Sequence, residues 1–259
     1  VGKPTIQYAS NYYFNEEHGY ENVYTYLGSP YSGCYTHLSD GVGFANYTAH
    51  GSETSWADPS FTVSNVYSLT NADKYFWAMG NCCNAADWGY SSTCFGEAMI
   101  RAEEKAAFSY IGSCPVTYWW EDYYFGVGAT TITNRMPTFE ETTMGNYDAQ
   151  FLEDTYNTIA AVPFVGNLAV AYSHTESGYE SAATTRYYFE AYHVLGDASI
   201  MPYRSMPSEN NVSHLPTVPI GMNFYIVNAD PGSYVGISQN GVLYGAGMVG
   251  ETGTAEIDM

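Results

Sequence analysis

Two apolar, aromatic-rich runs, each halted at a chemically capable side chain, constrain this chain more than any other feature. The first, Gly43 to Ala49, stops at His50-Gly51; the second, Lys74 to Met79, leads through Gly80-Asn81 to Cys82-Cys83. Each run has the length of a buried strand, and small or polar residues break both. Two neighbouring parallel strands ending this way set an imidazole beside a thiol at the carboxyl edge of a sheet, where open α/β folds keep their ligand crevices. His50 and Cys83, 33 residues apart, are read on this basis as a dyad of base and sulfur nucleophile.

The flanking pattern supports such a sheet. A helix is expected over residues 61–69, a second over 97–110, and a third strand over 115–120 that runs directly into Glu121-Asp122. Strand, helix, strand, helix, strand indicates a parallel, doubly wound sheet flanked by helices. Residues 138–196 read as mostly helical, with apolar stretches at 158–172 and 181–195. Upstream, residues 6–8 suggest a short strand and 20–26 a helix. His18-Gly19 follows Asn15-Glu16-Glu17 and reads as a surface loop, and His37 as a solvated side chain. Beyond Met206-Pro207-Ser208 the composition shifts to short alternating runs (222–227, 233–237, 242–244) separated by Pro and Gly, an all-β module of sandwich type. The chain thus divides into 1–206 and 207–259, the second part too short for a complete immunoglobulin-like domain of about 100 residues.

Charge narrows the partners. The 27 acidic residues against 7 basic ones give a net charge of −20, which repels nucleic acid and anionic membranes and attracts basic ligands. Disorder is excluded as the cause, because 46% of residues are hydrophobic and 17% aromatic. No apolar run reaches the length of about 18 residues needed to span a membrane. No secretory signal opens the sequence; Val1-Gly2-Lys3-Pro4 suits a mature or excised fragment. The five cysteines show no paired zinc spacing and no disulfide framework. Asn46-Tyr47-Thr48 and Asn211-Val212-Ser213 match glycosylation acceptors but read as incidental.

Attack by sulfur on an amide needs a thiolate, a group that maintains it, and donors for the developing oxyanion. His50 supplies the second; the backbone N–H groups of Gly51 and Cys83 stand where the third is wanted. In sequence, Tyr47-Thr48-Ala49-His50-Gly51, Asn81-Cys82-Cys83-Asn84 and Tyr118-Trp119-Trp120-Glu121-Asp122 together resemble the gingipain family of cysteine endopeptidases, in the caspase-like clan, and within it the lysine-specific branch. The resemblance covers essentially the whole chain and implies a caspase-like catalytic subdomain followed by the start of an immunoglobulin-like module.

What the resemblance implies transfers residue by residue. Cys83 matches the nucleophile, His50 the general acid/base, and Gly51 with Cys83 the oxyanion donors. Asp122 matches the acid that receives the substrate's basic side chain, with Trp119 and Thr48 as pocket walls and Asn81 and Tyr118 as further pocket residues. An aromatic plane beside one carboxylate suits an aliphatic stem ending in an ammonium. Glu121 competes for the role of Asp122, and strand alternation is expected to put the two on opposite faces. The family's acid that orients the histidine, and the strands of its N-terminal subdomain, lie upstream of this sequence, so remaining segments of the same proprotein are expected partners. The resemblance also implies structural calcium, for which Asp87 and Glu97 are the candidate ligands. The expectation is a secreted or cell-surface endopeptidase, associated with virulence-type protein degradation, that cuts protein and peptide substrates after lysine. Three lysines in the chain leave few such bonds exposed to it. A non-catalytic adhesion or binding module and an arginine-selective relative are the alternatives.

Overall fold

The computed structural model describes residues 2–27, 33–151, 158–177, 184–204 and 209–259. Its elements in order are α1 (Gly2–Tyr12), α2 (Cys34–Asp40), β1 (Phe44–Thr48), β2 (Gly51–Ser52), β3 (Ser55–Trp56), β4 (Phe61–Thr62), α3 (Val63–Ser68), β5 (Phe76–Asn81), α4 (Phe95–Arg101), β6 (Ala107–Ser113) and α5 (Trp119–Val127). They continue with α6 (Asn146–Ala149), α7 (Ala161–Ser177), α8 (Thr185–Ala191), β7 (Tyr192–Gly196), β8 (Ser213–His214), β9 (Phe224–Asn228), β10 (Tyr234–Gln239), β11 (Val242–Met248) and β12 (Thr254–Asp258). The chain forms two compact units, Val1–Met206 and Pro207–Met259. The composition change at Met206-Pro207-Ser208 falls outside the described residues.

In the first unit the central sheet has the order β1-β5-β6-β7, with β1, β5 and β6 parallel and β7 antiparallel to β6. Strand alternation sorts its side chains into two layers. Trp77, Met79 and Ile111 face a core with Tyr8, Phe125, Tyr147, Val170 and Tyr188, whereas Phe76, Ala78 and Tyr110 face another with Trp56, Phe61, Phe95 and Met99. Every residue of β5 is buried, so its run is continuously apolar or small, as expected of a strand covered on both faces.

Five stretches and one histidine depart from the sequence expectations. Residues 97–110 are not one helix: α4 ends at Arg101, and 107–113 form β6. Glu104 and Ala106 hold left-handed backbone (φ 53 and 62). The buried Asn71 side chain grips Ala106 on both sides, accepting its N–H at 2.8 Å and donating to its carbonyl at 3.0 Å. Tertiary pairing with β5 overrides the local helical preference. The third strand is consequently β6, and residues 115–118 lead into helix α5 instead of forming a strand. Residues 6–8 belong to helix α1, while 22–27 have no regular structure. The helical expectation for 181–195 missed strand β7; its first three residues lie outside the described ones. His37 is stacked on Tyr24 at 3.5 Å and bonded to the Tyr26 hydroxyl at 2.5 Å, so it is half-buried and engaged, not free in solvent.

The second unit contains the hairpin β10-β11 and the sheet β12-β9-β8. Asn240-Gly241 turns the hairpin with positive φ at both positions (51 and 78), as a tight two-residue turn requires. Ala255 and Ile257 alternate inward along β12 and pack with Val249 and Ala229.

Candidate active site

The register of two strands builds the site. Thr48 pairs with Asn81 in the β1–β5 ladder, and two residues beyond each lie His50 and Cys83, at one level on the carboxyl edge of the sheet. A Cβ on Gly51 would meet Cys82 Sγ at 2.6 Å and the Cys83 carbonyl at 2.8 Å, so glycine is required here by the close approach of the two strand ends. Buried Tyr47 fixes the turn: its hydroxyl donates to the His50 carbonyl at 2.5 Å and accepts from Ala57 and Asp58 N–H at 3.0 Å. Its ring stacks on Trp56 at 4.6 Å. Below the turn, Asn84 donates to Glu53 at 3.0 Å, tying the β2–β3 hairpin to the loop after Cys83.

The His50 imidazole is exposed and meets Trp119 edge-on at 4.8 Å between ring centres. No described residue hydrogen-bonds it, Cys83 included. The partly buried Cys83 sulfur turns to Thr117 instead: it accepts the Thr117 N–H at 3.3 Å and lies 3.5 Å from the Thr117 carbonyl. The Cys83 N–H donates to no acceptor among the described residues, leaving it available to an oxyanion. Burial pushes the thiols of Cys82, Cys34, Cys94 and Cys114 above their ordinary value, Cys34 to about 11.

Asp122 lies on α5, not on a strand, so the alternation expected for Glu121 and Asp122 does not apply. Both are buried. Glu121 is paired with buried His174 of α7 at 3.4 Å. Asp122 accepts the Thr117 hydroxyl on one oxygen at 2.6 Å and the Tyr188 and Tyr192 hydroxyls on the other at 3.1 Å. No Lys, Arg or His of the described residues pairs with it. Burial drives its pKa up to about 7, against the lowering effect of the three hydroxyls.

The remaining pocket candidates differ in character. Thr48 Oγ1 is buried with no hydrogen bond to any described residue within ordinary geometry. Asn81 is buried, donates to the Asp122 carbonyl at 2.7 Å and accepts the Tyr192 hydroxyl; it braces the carboxylate's backbone. Tyr118 precedes α5, its backbone N–H bonded to the Tyr188 hydroxyl at 2.9 Å. Trp119 is 48% exposed at the rim. A cavity of about 600 Å³ is lined by Thr48, Ala49 and Trp119, but by none of Cys83, Asn81 and Asp122.

Asp87 and Glu97 do not fit a calcium site. Glu97 Oε2 caps α4 by accepting the Cys94 N–H at 3.0 Å while Oε1 faces Arg101 at 3.6 Å, and Asp87 closes a local turn on Gly89 at 3.1 Å. Among the described residues no three His, Cys, Asp or Glu side chains cluster as metal ligands would. Sequence reasoning missed Thr117, Tyr188, Tyr192 and Tyr47. Only Tyr47 carried a signal, as the aromatic three residues before His50; the others are joined to the site by folding alone.

An open, mostly parallel sheet with helices on both faces, presenting a His-Gly turn and a cysteine together at its carboxyl edge, is the architecture of the caspase-like peptidases. The sequence matches peptidase family C25 over residues 3–203, and the chain belongs to that family. It is 53% identical over 259 residues to Lys-gingipain of Porphyromonas gingivalis, covering 100% of this chain and 15% of that protein. The chain therefore spans about 15% of the length of the curated relative it matches. A solved protease structure, 52% identical, matches with a TM-score of 0.86 over 99% of this chain and 57% of the other. The Arg-specific cysteine proteinase gingipain R shares the fold, with a TM-score of 0.72 at 21% identity over 98% of this chain and 56% of its own.

Proposed function

We propose that this chain carries the reacting centre of a secreted cysteine endopeptidase that cleaves after lysine. The Asp122 carboxylate carries the reading: it is buried, hydrogen-bonded to three hydroxyls and has no cation partner among the described residues. A substrate ammonium supplies the missing charge, and the similarity to Lys-gingipain points the same way. Lysine is favoured over arginine because hydroxyls already occupy both Asp122 oxygens. The carboxylate can take a point charge, whereas a guanidinium fork wants two free coplanar acceptors.

In the proposed reaction Cys83 passes its thiol proton to His50 and its Sγ adds to the scissile carbonyl carbon, and the developing oxyanion takes the N–H groups of Cys83 and Gly51. His50 delivers a proton to the leaving amine as the C–N bond breaks, giving a thioester on Cys83. Water then attacks the thioester with His50 as base, releasing the new carboxylate and the thiol. The second unit we assign as the start of an immunoglobulin-like sandwich, on its alternating β9 and β12. The acid that orients His50 we assign to other segments of the proprotein.

The test is labelling of the full-length protein with lysyl and arginyl chloromethyl ketones, followed by peptide mapping. Attachment at Cys83, faster with the lysyl reagent and lost in His50→Ala, is expected. Labelling spread over several cysteines and indifferent to His50 would turn the reading to a binding module. A preference for the arginyl reagent would sink the lysine assignment alone.

A further inference from the structure

Thr117 is the one described residue bonded to both the sulfur and the specificity carboxylate. Its hydroxyl donates to Asp122 Oδ2 at 2.6 Å, its N–H donates to Cys83 Sγ at 3.3 Å, and its carbonyl lies 3.5 Å from that sulfur. It sits in the irregular connection between β6 and α5, where no ladder or helix fixes its peptide plane. The hydroxyl bond to Asp122 is therefore a main constraint on where the Thr117 N–H points.

We infer that Thr117 is a positioning residue that couples the two halves of the site: an ammonium seated at Asp122 tightens the Thr117 hydroxyl bond, which holds the Thr117 N–H on Cys83 and makes the sulfur more nucleophilic. The inference rests on the reading of Asp122 as the lysine receptor. Its chemistry follows from two rules. A hydroxyl bonds an ionised carboxylate more strongly than a neutral one, and a cation beside Asp122 fixes it as ionised. An N–H donated to sulfur favours the thiolate over the thiol. A substrate with the right side chain thus activates the nucleophile, and a wrong one leaves it at rest, adding selection to that given by affinity.

The probe is iodoacetamide, which has no side chain to recognise, applied to the full-length protein with and without saturating n-butylammonium as the lysine side chain's stand-in. Alkylation of Cys83, read by peptide mapping, is expected to accelerate about fivefold with the amine, the difference between a neutral and a charge-assisted hydrogen bond. Thr117→Val should lose the acceleration, Thr117→Ser should keep it, and Asp122→Asn should lose it, with circular dichroism confirming that each variant is folded. Equal or slower alkylation with the amine, or full acceleration in Thr117→Val, overturns the coupling. The lysyl-over-arginyl labelling preference separates the two failures. If it persists while butylammonium has no effect, only the coupling falls; if it is absent, the lysine reading falls with it.

Discussion

The two halves of the site are built by different means. His50, Gly51 and Cys83 stand on the ends of adjacent strands, positioned by one ladder and by a glycine that lets the strand ends touch. Asp122 is held by hydroxyls from Thr117, Tyr188 and Tyr192, which are 5, 66 and 70 residues away in the chain. The half proposed to react is local and held by backbone. The recognition half is an assembly of side chains from a connection, two helices and an edge strand. Backbone register can place atoms with small error, while the proposed charge recognition draws its hydroxyl donors from segments both near and far in the chain.

Changes on either side test this division. Cys83→Ala removes the nucleophile and is expected to lower peptide hydrolysis more than about a thousandfold, with the melting temperature little changed. Asp122→Asn should lower kcat/KM for lysyl substrates about a hundredfold or more, as removal of one member of a buried charge pair does, while slow iodoacetamide alkylation of Cys83 persists. An equal loss in both assays would erase the distinction between the halves. Gly51→Ala forces a Cβ into Cys82 and Cys83 and should cost about 1–3 kcal/mol, seen as a lower denaturation midpoint together with weaker labelling by every reagent.

Acidity sharpens the recognition half further. Asp122 titrates at about 7 when empty and is held ionised by a bound ammonium. Butylammonium affinity, measured by protection of Cys83 from lysyl labelling, should therefore rise about tenfold per pH unit below about 7 and flatten above it. Tyr192→Phe removes a donor to the ionised form and should move that break to higher pH. The smallest effect belongs to neither half: Glu97→Ala loses a helix cap and should cost about 1 kcal/mol, by the same amount with and without calcium.

The same division decides what the sequence disclosed. Strand ends carry their own marks, an apolar run followed by His-Gly or Cys-Cys, so the meeting of His50 and Cys83 at one sheet edge could be read from Phe44 to Cys83 alone. The path from Arg101 to Trp119 could not. Residues 97–110 favour helix locally, and the chain leaves the helix at Arg101 for a strand paired with β5, with Asn71 bonded to Ala106 from 35 positions away. That misassignment propagated to Asp122, which was identified through family resemblance yet set on a strand instead of α5. Tyr188 and Tyr192 were unmarked among 27 tyrosines; nothing local tells a tyrosine that braces a carboxylate from one that fills a core.

The buried carboxylate also shapes the protein's endurance. Because folding raises the Asp122 pKa from 3.8 to about 7, its contribution to stability is complete below the unfolded value and is lost as pH rises through about 7. Above that point the folded chain holds an unbalanced buried charge, which a lysine docked as proposed would neutralise. On the proposed reading occupancy and folding are linked in one direction, and in alkaline surroundings the protein would last longest where substrate is abundant.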